Sequence, residues 1–576
     1  MITSLIKKIM KRDVLIGFLV FLLYLSLSIF YMGFYKHNVF SSMFSPGGDQ
    51  SYFLFFLKWW PWTITHNVNP FKTNYLTYPR FYNTAWLTSV PILSLIASPI
   101  TYYFGVIFSW NILMLLAPIT AAFSAYLLFR YLKLNYFASF AGGYIFGFST
   151  YEMAEFIPGH IHMVYIFPVP VIILLLLKRF SKQISRKSFI ISTAFLMVFL
   201  FGITTEIMTT FVVFLFLSAI VFILYNLKNK KILSRIYRLS FETFFAGLTA
   251  IVISFPFVYY LVKGLKNGIN KPILFSAKWN SADLLNFIIP ANFTKIGGDF
   301  CSRFFHFWKG NDYIGIGLLI ITIFSMRNLL KKEKEEIGGD SQFIWVKPLI
   351  FITFMILIFS LGPYLHIDGI ITIIPMPGHL FIFPPLNNAA PNRFIMYVFL
   401  LIGFWVAVWV GNIKENTLKS EKYKIYGRYA LLVLSLLLIV PNYTAYVWGN
   451  PNFNRKAIKK FVPKESDILP IPFSPSPYEQ GALWVAGSNF KIHMTGPNWG
   501  FQVYKHNGRV YKMLNDNKIS GNFKRLITGY CLKHGIKYIL ISEKAHKKTM
   551  WESAFNKMGW KSKIGYGIII YKVILR

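Results

Sequence analysis

Between Val14 and Phe34 the chain runs for 21 residues without a charged side chain. As an α-helix this stretch is about 32 Å long, the thickness of the hydrocarbon core of a bilayer. A helix with no polar face has to be buried in protein or in lipid. Lys7, Lys8, Lys11 and Arg12 precede it. The run is too long for a signal-peptide core and no small-residue cleavage site follows it, so it reads as an uncleaved first crossing with a cytoplasmic N-terminus. Further apolar stretches occur at 106–129, 136–152, 163–177, 188–204, 207–225, 240–262, 312–326, 347–365, 393–411 and 429–448. The expected fold is an α-helical polytopic membrane protein with about eleven crossings. Composition agrees, with 14% charged residues where soluble domains carry about 25%. It excludes a disordered or collagen-like chain, and two cysteines, Cys301 and Cys531, exclude a disulfide scaffold and show no metal-ligand spacing.

The net charge of +38 raises the question of nucleic acid, but no base-reading module is present, and part of the basic excess marks loops instead. Loops 178–187, 226–239, 327–346 and 412–428 are rich in Lys and Arg, whereas the short loops near 153–162, 203–206 and 366–391 contain none. That alternation is the positive-inside pattern and places the basic loops in the cytoplasm. Segment 87–104 is apolar but holds Pro91 and Pro99, so it is expected to be re-entrant or interfacial; a spanning role would raise the count to thirteen. Loop 263–311 is placed outside although it carries seven basic residues, since long loops translocate largely regardless of charge. Lys331 to Glu336 reads as a solvated charge run.

These assignments divide the chain into a membrane domain, 1–448, with outer loops 35–105 and 263–311, and an outer tail, 449–576. The tail holds 22 Lys and Arg against 6 Asp and Glu. Its pattern predicts a strand at 467–472, an amphipathic stretch near 520–533, a strand at 535–542, a helix near 545–557 and strands near 559–573. Such alternation describes a small α/β domain.

Polar groups at an apolar interface are costly and therefore informative. Asp49 follows a Gly-Gly turn and precedes an aromatic stretch, 52–62, expected as an interfacial helix with its tryptophans at headgroup depth. It is either the cap of that helix or a functional acid. The segment from Glu152 to His162 contributes Glu155, His160 and His162; the His-x-His pair is a weak metal signal, and substrate hydrogen bonding by His160 is the alternative to two interfacial rings satisfied by backbone. Glu206 interrupts apolar sequence and either caps a helix or faces a polar cavity. Arg393 stands at a helix end, where it snorkels to lipid phosphate or holds a substrate phosphate. In the expected topology Asp49, Glu155, His160, Glu206 and Arg393 all fall on the outer face.

The order of these parts resembles the GT-C superfamily of integral-membrane glycosyltransferases, in a bacterial branch distinct from its oligosaccharyltransferases. Local wording adds to the likeness: Gly48-Asp49, Asn69-Pro-Phe71, Thr88-Ser-Val-Pro91, Ser98-Pro99, Gly142-Gly143, Gly147-Phe148-Ser149, Gly159-His160 and Asn392-Arg-Phe394. The resemblance is best over 1–225, extends as architecture to 448 and is poor in the tail. It implies inverting transfer of a sugar from a polyprenyl-phosphate donor to a glycan, lipid or protein acceptor on the outer face of a bacterial inner membrane. It gives Asp49 the role of general base or of ligand to a divalent cation, Mg or Mn, and gives Glu155 or His160 a supporting role. The paired acids of many relatives are absent, because Gln50 follows Asp49, which speaks for the base. No nucleotide-binding phosphate loop is present. Two other functions share this hydropathy: a transporter or flippase of lipid-linked sugars, and a non-catalytic envelope-assembly protein whose basic tail binds an anionic polymer.

Overall fold

The computed structural model describes residues 2–46, 49–266, 277–335, 345–382, 386, 389–411, 419–451, 453–473, 480–497, 508–519 and 521–574. Gly47 and Gly48 of the expected turn, and parts of the loops 263–311, 327–346 and 412–428, lie outside the described residues. Among the described residues six helices are long and apolar enough to cross a membrane: Arg12–Met32, Val106–Tyr131, Ile161–Phe180, Thr205–Tyr225, Lys230–Ile253 and Pro391–Gly411. The chain is a multi-pass membrane protein. Its helices sort into two kinds. Pro391–Gly411 has 83% of its apolar window buried inside the protein, whereas Lys230–Ile253 has 22% and turns Phe244 and Val252 outward. Outward apolar side chains on such a helix face lipid.

The central packing depends on small residues. Gly142 on the helix Tyr136–Gly147 and Gly403 on Ile395–Gly411 lie so close that a Cβ on either would stand 2.7 Å from the carbonyl oxygen of the other. Backbones meet there directly, the usual solution where helix association depends on van der Waals contact. Elsewhere Arg179 forks onto Glu242 at 2.6 and 2.7 Å, joining Pro168–Phe180 to Lys230–Ile253.

Helix ends differ from the apolar runs where a capping residue or proline intervenes. The expected crossing 136–152 ends at Gly147; the Ser149 side chain then accepts from Glu152 N at 3.2 Å and starts a separate helix, Thr150–Glu155. The expected 240–262 breaks at Ser254, ahead of Pro256, into Lys230–Ile253 and Phe255–Lys266. The expected 347–365 stops at Ser360 and gives way to a hairpin, Tyr364–Ile367 with Ile370–Pro375. Segment 87–104 forms two helices of 6 and 7 residues, Pro91–Ile96 and Ser98–Phe104. Neither is long enough to span, at about 1.5 Å per residue.

One expectation about position fails. The helix Gln50–Thr65 does not leave its tryptophans at an interface: Trp59 and Trp60 are buried. The helix is wedged between Val106–Tyr131 and the tail helix Gln480–Gly487, and Lys58 Nζ donates to Ala486 O at 2.5 Å and Asn489 Oδ1 at 2.6 Å. Tail packing removes from water a face that an isolated helix would have laid on headgroups.

The tail contains a small five-stranded sheet, in the order Ser562–Gly565, Ile568–Lys572, Ile536–Ser542, Asp467–Ile471, His493–Met494. The last three strands run parallel and the first two pair antiparallel. One face packs on Phe523–His534 and Lys548–Lys557 through Ile527, Ile539, Ile541, Trp551 and Phe555. The other presents Ile468, Leu540 and Ile570 to the core shared with the helical domain. The first loop extends this contact, since Met494 N donates to Tyr75 O and Tyr78 N to Met494 O. Cys531 is buried in the sheet domain, Cys301 belongs to the 277–315 segment, and both are free thiols.

Candidate functional site

The break that ends the helix at Gly147 also decides where the polar groups after it point. From the short helix Thr150–Glu155 the chain turns through Gly159, whose φ of +71° is a left-handed conformation open to glycine. A Cβ at Gly159 would stand 2.3 Å from the Gln50 amide, so this turn and the start of Gln50–Thr65 are in close contact. Asp49 N donates to Pro158 O at 3.1 Å and completes the junction of the first loop with the second.

Asp49 occupies the N-cap position of Gln50–Thr65, but its carboxylate makes no capping hydrogen bond. It turns to His160, whose Nε2 is 3.4 Å from Oδ2; His160 Nδ1 contacts Glu155 Oε2 at 2.5 Å. The imidazole thus bridges two carboxylates. Their exposure differs, with 46% of the Asp49 side chain accessible and 8% of Glu155. Burial disfavours the charged imidazole, but the Glu155 carboxylate and a hydrogen bond to Asp49 outweigh it and push His160 up to about 9. Burial alone would raise the Glu155 carboxyl; the His160 charge against it, with Arg393 and Lys309 adding the same sign, holds it below the ordinary carboxylate range.

Glu155 and His160 form one wall of a cavity of about 120 Å³. The opposite wall comes from Asn280, Lys309 and Asn311 of the 277–315 segment and from Asn392 and Arg393 at the start of the helix Ile395–Gly411. Hydrogen bonds join these pieces. Thr150 Oγ1 donates to Tyr313 O at 2.7 Å, Asn392 N to Asn280 O at 3.0 Å, and Asn392 Nδ2 to Asn311 Oδ1 at 3.2 Å. Burial and the nearby Arg393 charge lower the Lys309 ammonium. Behind it Asp312 is buried, with Oδ1 lacking a partner among the described residues.

The six sequence candidates fall into three positions. Glu155, His160 and Arg393 line the cavity, and Asp49 touches it through His160. Glu206 stands behind Arg393: one carboxylate oxygen takes the guanidinium and the other accepts Ala390 N at 3.0 Å, which positions the turn. His162 lies off the cavity wall, buried, with its ring 5.2 Å from Phe53 and 5.5 Å from His160. Sequence reasoning missed Lys309, Asn280 and Asn311, polar residues in a polar loop where they carry no local signal. Asn392 was legible only as part of the Asn392-Arg-Phe394 wording.

The chemistry of the site is that of an acid–imidazolium–acid bridge facing two cations. Among the described residues no three His, Cys, Asp or Glu side chains are grouped to hold a metal ion. Asp49 and Glu155 are joined through the His160 ring.

The chain belongs to the family described as Domain of unknown function (DUF6311), whose model matches residues 14–440. No curated protein matches it by sequence. Among solved structures it is similar to the arabinofuranosyltransferase AftD from Mycobacteria, with a TM-score of 0.58 and 10% identity over 97% of this chain. The match covers 40% of that much longer chain. It is also similar to the apo oligosaccharyltransferase of Archaeoglobus fulgidus, with a TM-score of 0.52 and 12% identity over 92% of this chain and 70% of that one. At such identities the likeness is one of fold: the chain shares its fold with these two glycosyltransferases.

Proposed function

We propose that this chain is a membrane glycosyltransferase that moves a sugar from a polyprenyl-phosphate donor to an acceptor, with inversion, on the outer face of a bacterial inner membrane. The eleven-crossing topology, which puts the cavity end of the helices outside, is part of the proposal. The observation that carries it is the cavity. A half-exposed carboxylate, Asp49, which an acceptor hydroxyl requires, stands beside a pocket that presents Lys309 and Arg393, the cations a departing lipid phosphate requires.

In the proposed reaction the acceptor hydroxyl gives its proton to Asp49 as its oxygen bonds to the anomeric carbon from the face opposite the phosphate. The bond from that carbon to the phosphate oxygen breaks, and its electron pair leaves with the phosphate. Lys309 and Arg393 face the charge that develops there. His160 holds Asp49 in place, Glu155 holds His160, and Glu206 keeps Arg393 aimed at the pocket. The test is transfer by the purified protein in lipid vesicles supplied with prenyl-phosphate sugars. Sugar release or transfer that depends on Asp49 supports the reading. Movement of intact donor across the vesicle without cleavage would replace it with the flippase.

A further inference from the structure

Two cavity-lining residues are each preceded in the chain by a tryptophan. Trp279 precedes the cavity residue Asn280, and Trp308 precedes the cavity residue Lys309. Their rings meet with centroids 5.8 Å apart and planes at 44°, yet 50% of Trp279 and 61% of Trp308 stay accessible. The backbone holds them there. Asn280 O is tied to Asn392 N at 3.0 Å, and His306 N donates to Asp368 Oδ1 at 2.7 Å at the turn of the hairpin. Gly369 in that turn comes so close that a Cβ would stand 2.1 Å from His306 O, which leaves the segment before Trp308 no room to sink inward.

Inside the cavity the neutral polar lining is made of amides. Asn280, Asn311 and Asn392 are buried, and Asn392 Oδ1 has no partner among the described residues. A carboxamide both donates and accepts, as does a hydroxyl, so a row of amides matches the hydroxyl edge of a sugar. The C–H face of a pyranose or furanose is apolar and stacks on an indole, which buries large area at little entropic cost. Tryptophans at headgroup depth would account for the rings, but they leave the buried, unpartnered amide oxygen of the cavity residue Asn392 without a purpose.

We propose that Trp279 and Trp308, with the amides of Asn280, Asn311 and Asn392, form an acceptor subsite for a saccharide chain, so that the acceptor is a glycan at least two rings long. This inference rests on the transferase reading above. The test uses the full chain in lipid nanodiscs, with immobilised hexasaccharides of glucan, mannan, galactan and arabinan as probes. The wild-type protein is expected to retain at least one of them. The pair Trp279→Ala and Trp308→Ala should weaken that binding by about tenfold or more, and the pair Trp279→Phe and Trp308→Phe should recover part of it. Retention of no probe by the wild type, or equal binding by the alanine pair, overturns the subsite. Quenching of both tryptophans by brominated lipid, with glycan binding unchanged in the alanine pair, assigns the rings to the membrane surface instead. Cleavage of prenyl-phosphate sugar by the wild type separates the two readings. Cleavage with no glycan retained removes the subsite alone, whereas no cleavage removes the transferase.

Discussion

Glu155 at the cavity and Asp467 in the tail sheet are about equally removed from water, with 7% and 3% of each residue exposed. Around Glu155 the chain gathers His160, Arg393 and Lys309, and the carboxylate keeps its charge against the cost of burial. Around Asp467 it gathers a hydroxyl, a backbone N–H and the charge of one lysine, Lys537, which together do not offset its burial. Thr495 Oγ1 donates to Oδ2 at 2.6 Å, Oδ1 has no partner among the described residues, and burial pushes the carboxyl up to about 8. Burial therefore does not decide the charge of an acid here; the number of cations brought to it does. The tail sheet has a packed hydrophobic core around its acid, whereas the cavity is built of charges drawn from four separate segments.

The contrast is broken most directly at Asp49. Asp49→Asn keeps the size of the side chain and removes the proton acceptor, and is expected to lower transfer by about 10²–10⁴-fold while the protein inserts and melts normally. Near wild-type turnover by the purified variant would leave the cavity a structural cluster like the one in the tail.

Arg393→Met comes next. It leaves the partly buried Glu206 without its counter-charge and should cost on the order of 2 kcal/mol of stability, read from denaturation in detergent. Adding Glu206→Gln should restore most of that stability without restoring transfer. If the double variant recovers both, Arg393 does not touch substrate.

His160 and Asp467 both lose their contribution to stability as pH rises, but over different windows. The folded-state value of His160 is about 9, above the ordinary 6.5, so its contribution to stability is present in full below about 6.5 and is lost as pH rises through 9. His160→Gln should flatten that slope of the melting curve. Asp467 has its proton bound in the folded state up to about 8 but only to 3.8 when unfolded, so stability falls as pH rises between those values. Asp467→Asn should therefore leave the tail unchanged near pH 4 and protect it from proteolysis at pH 8. A wild-type stability that stays flat between pH 4 and pH 6.5 would remove the Asp467 half of the comparison, and one that stays flat between pH 8 and pH 9 the His160 half. The smallest expected effect is that of a chelator: because the imidazolium bridges Asp49 and Glu155, wild-type turnover is expected to be unchanged by it. Activity lost to a chelator and regained with Mg or Mn would make Asp49 a ligand.

Much of this molecule could be read from local pattern. The strand expected at 535–542 is Ile536–Ser542, the helix near 545–557 is Lys548–Lys557, and the strands near 559–573 are Ser562–Gly565 and Ile568–Lys572. Alternation and capping act over a few residues, so a few residues report them. The burial of Trp59 was not legible, because its ring packs on Phe490 of the tail, more than four hundred positions away. Nor was Lys309, which looks like any solvated loop lysine until Glu155 and Arg393 are placed around it.

What the sequence determined by itself is where most of the apolar helices begin, where four of the five tail strands lie, and that the chain lives in a membrane. Hydrophobic runs and hydrogen-bonded backbone are properties of contiguous residues, and the solvent they require follows from them. Only the tertiary structure decided which polar side chains meet, that Asp49 turns from the helix it begins toward His160, and that one buried acid is charged while another is not. Electrostatic energy depends on distance in space and on the water excluded from it, and neither is a function of position along the chain.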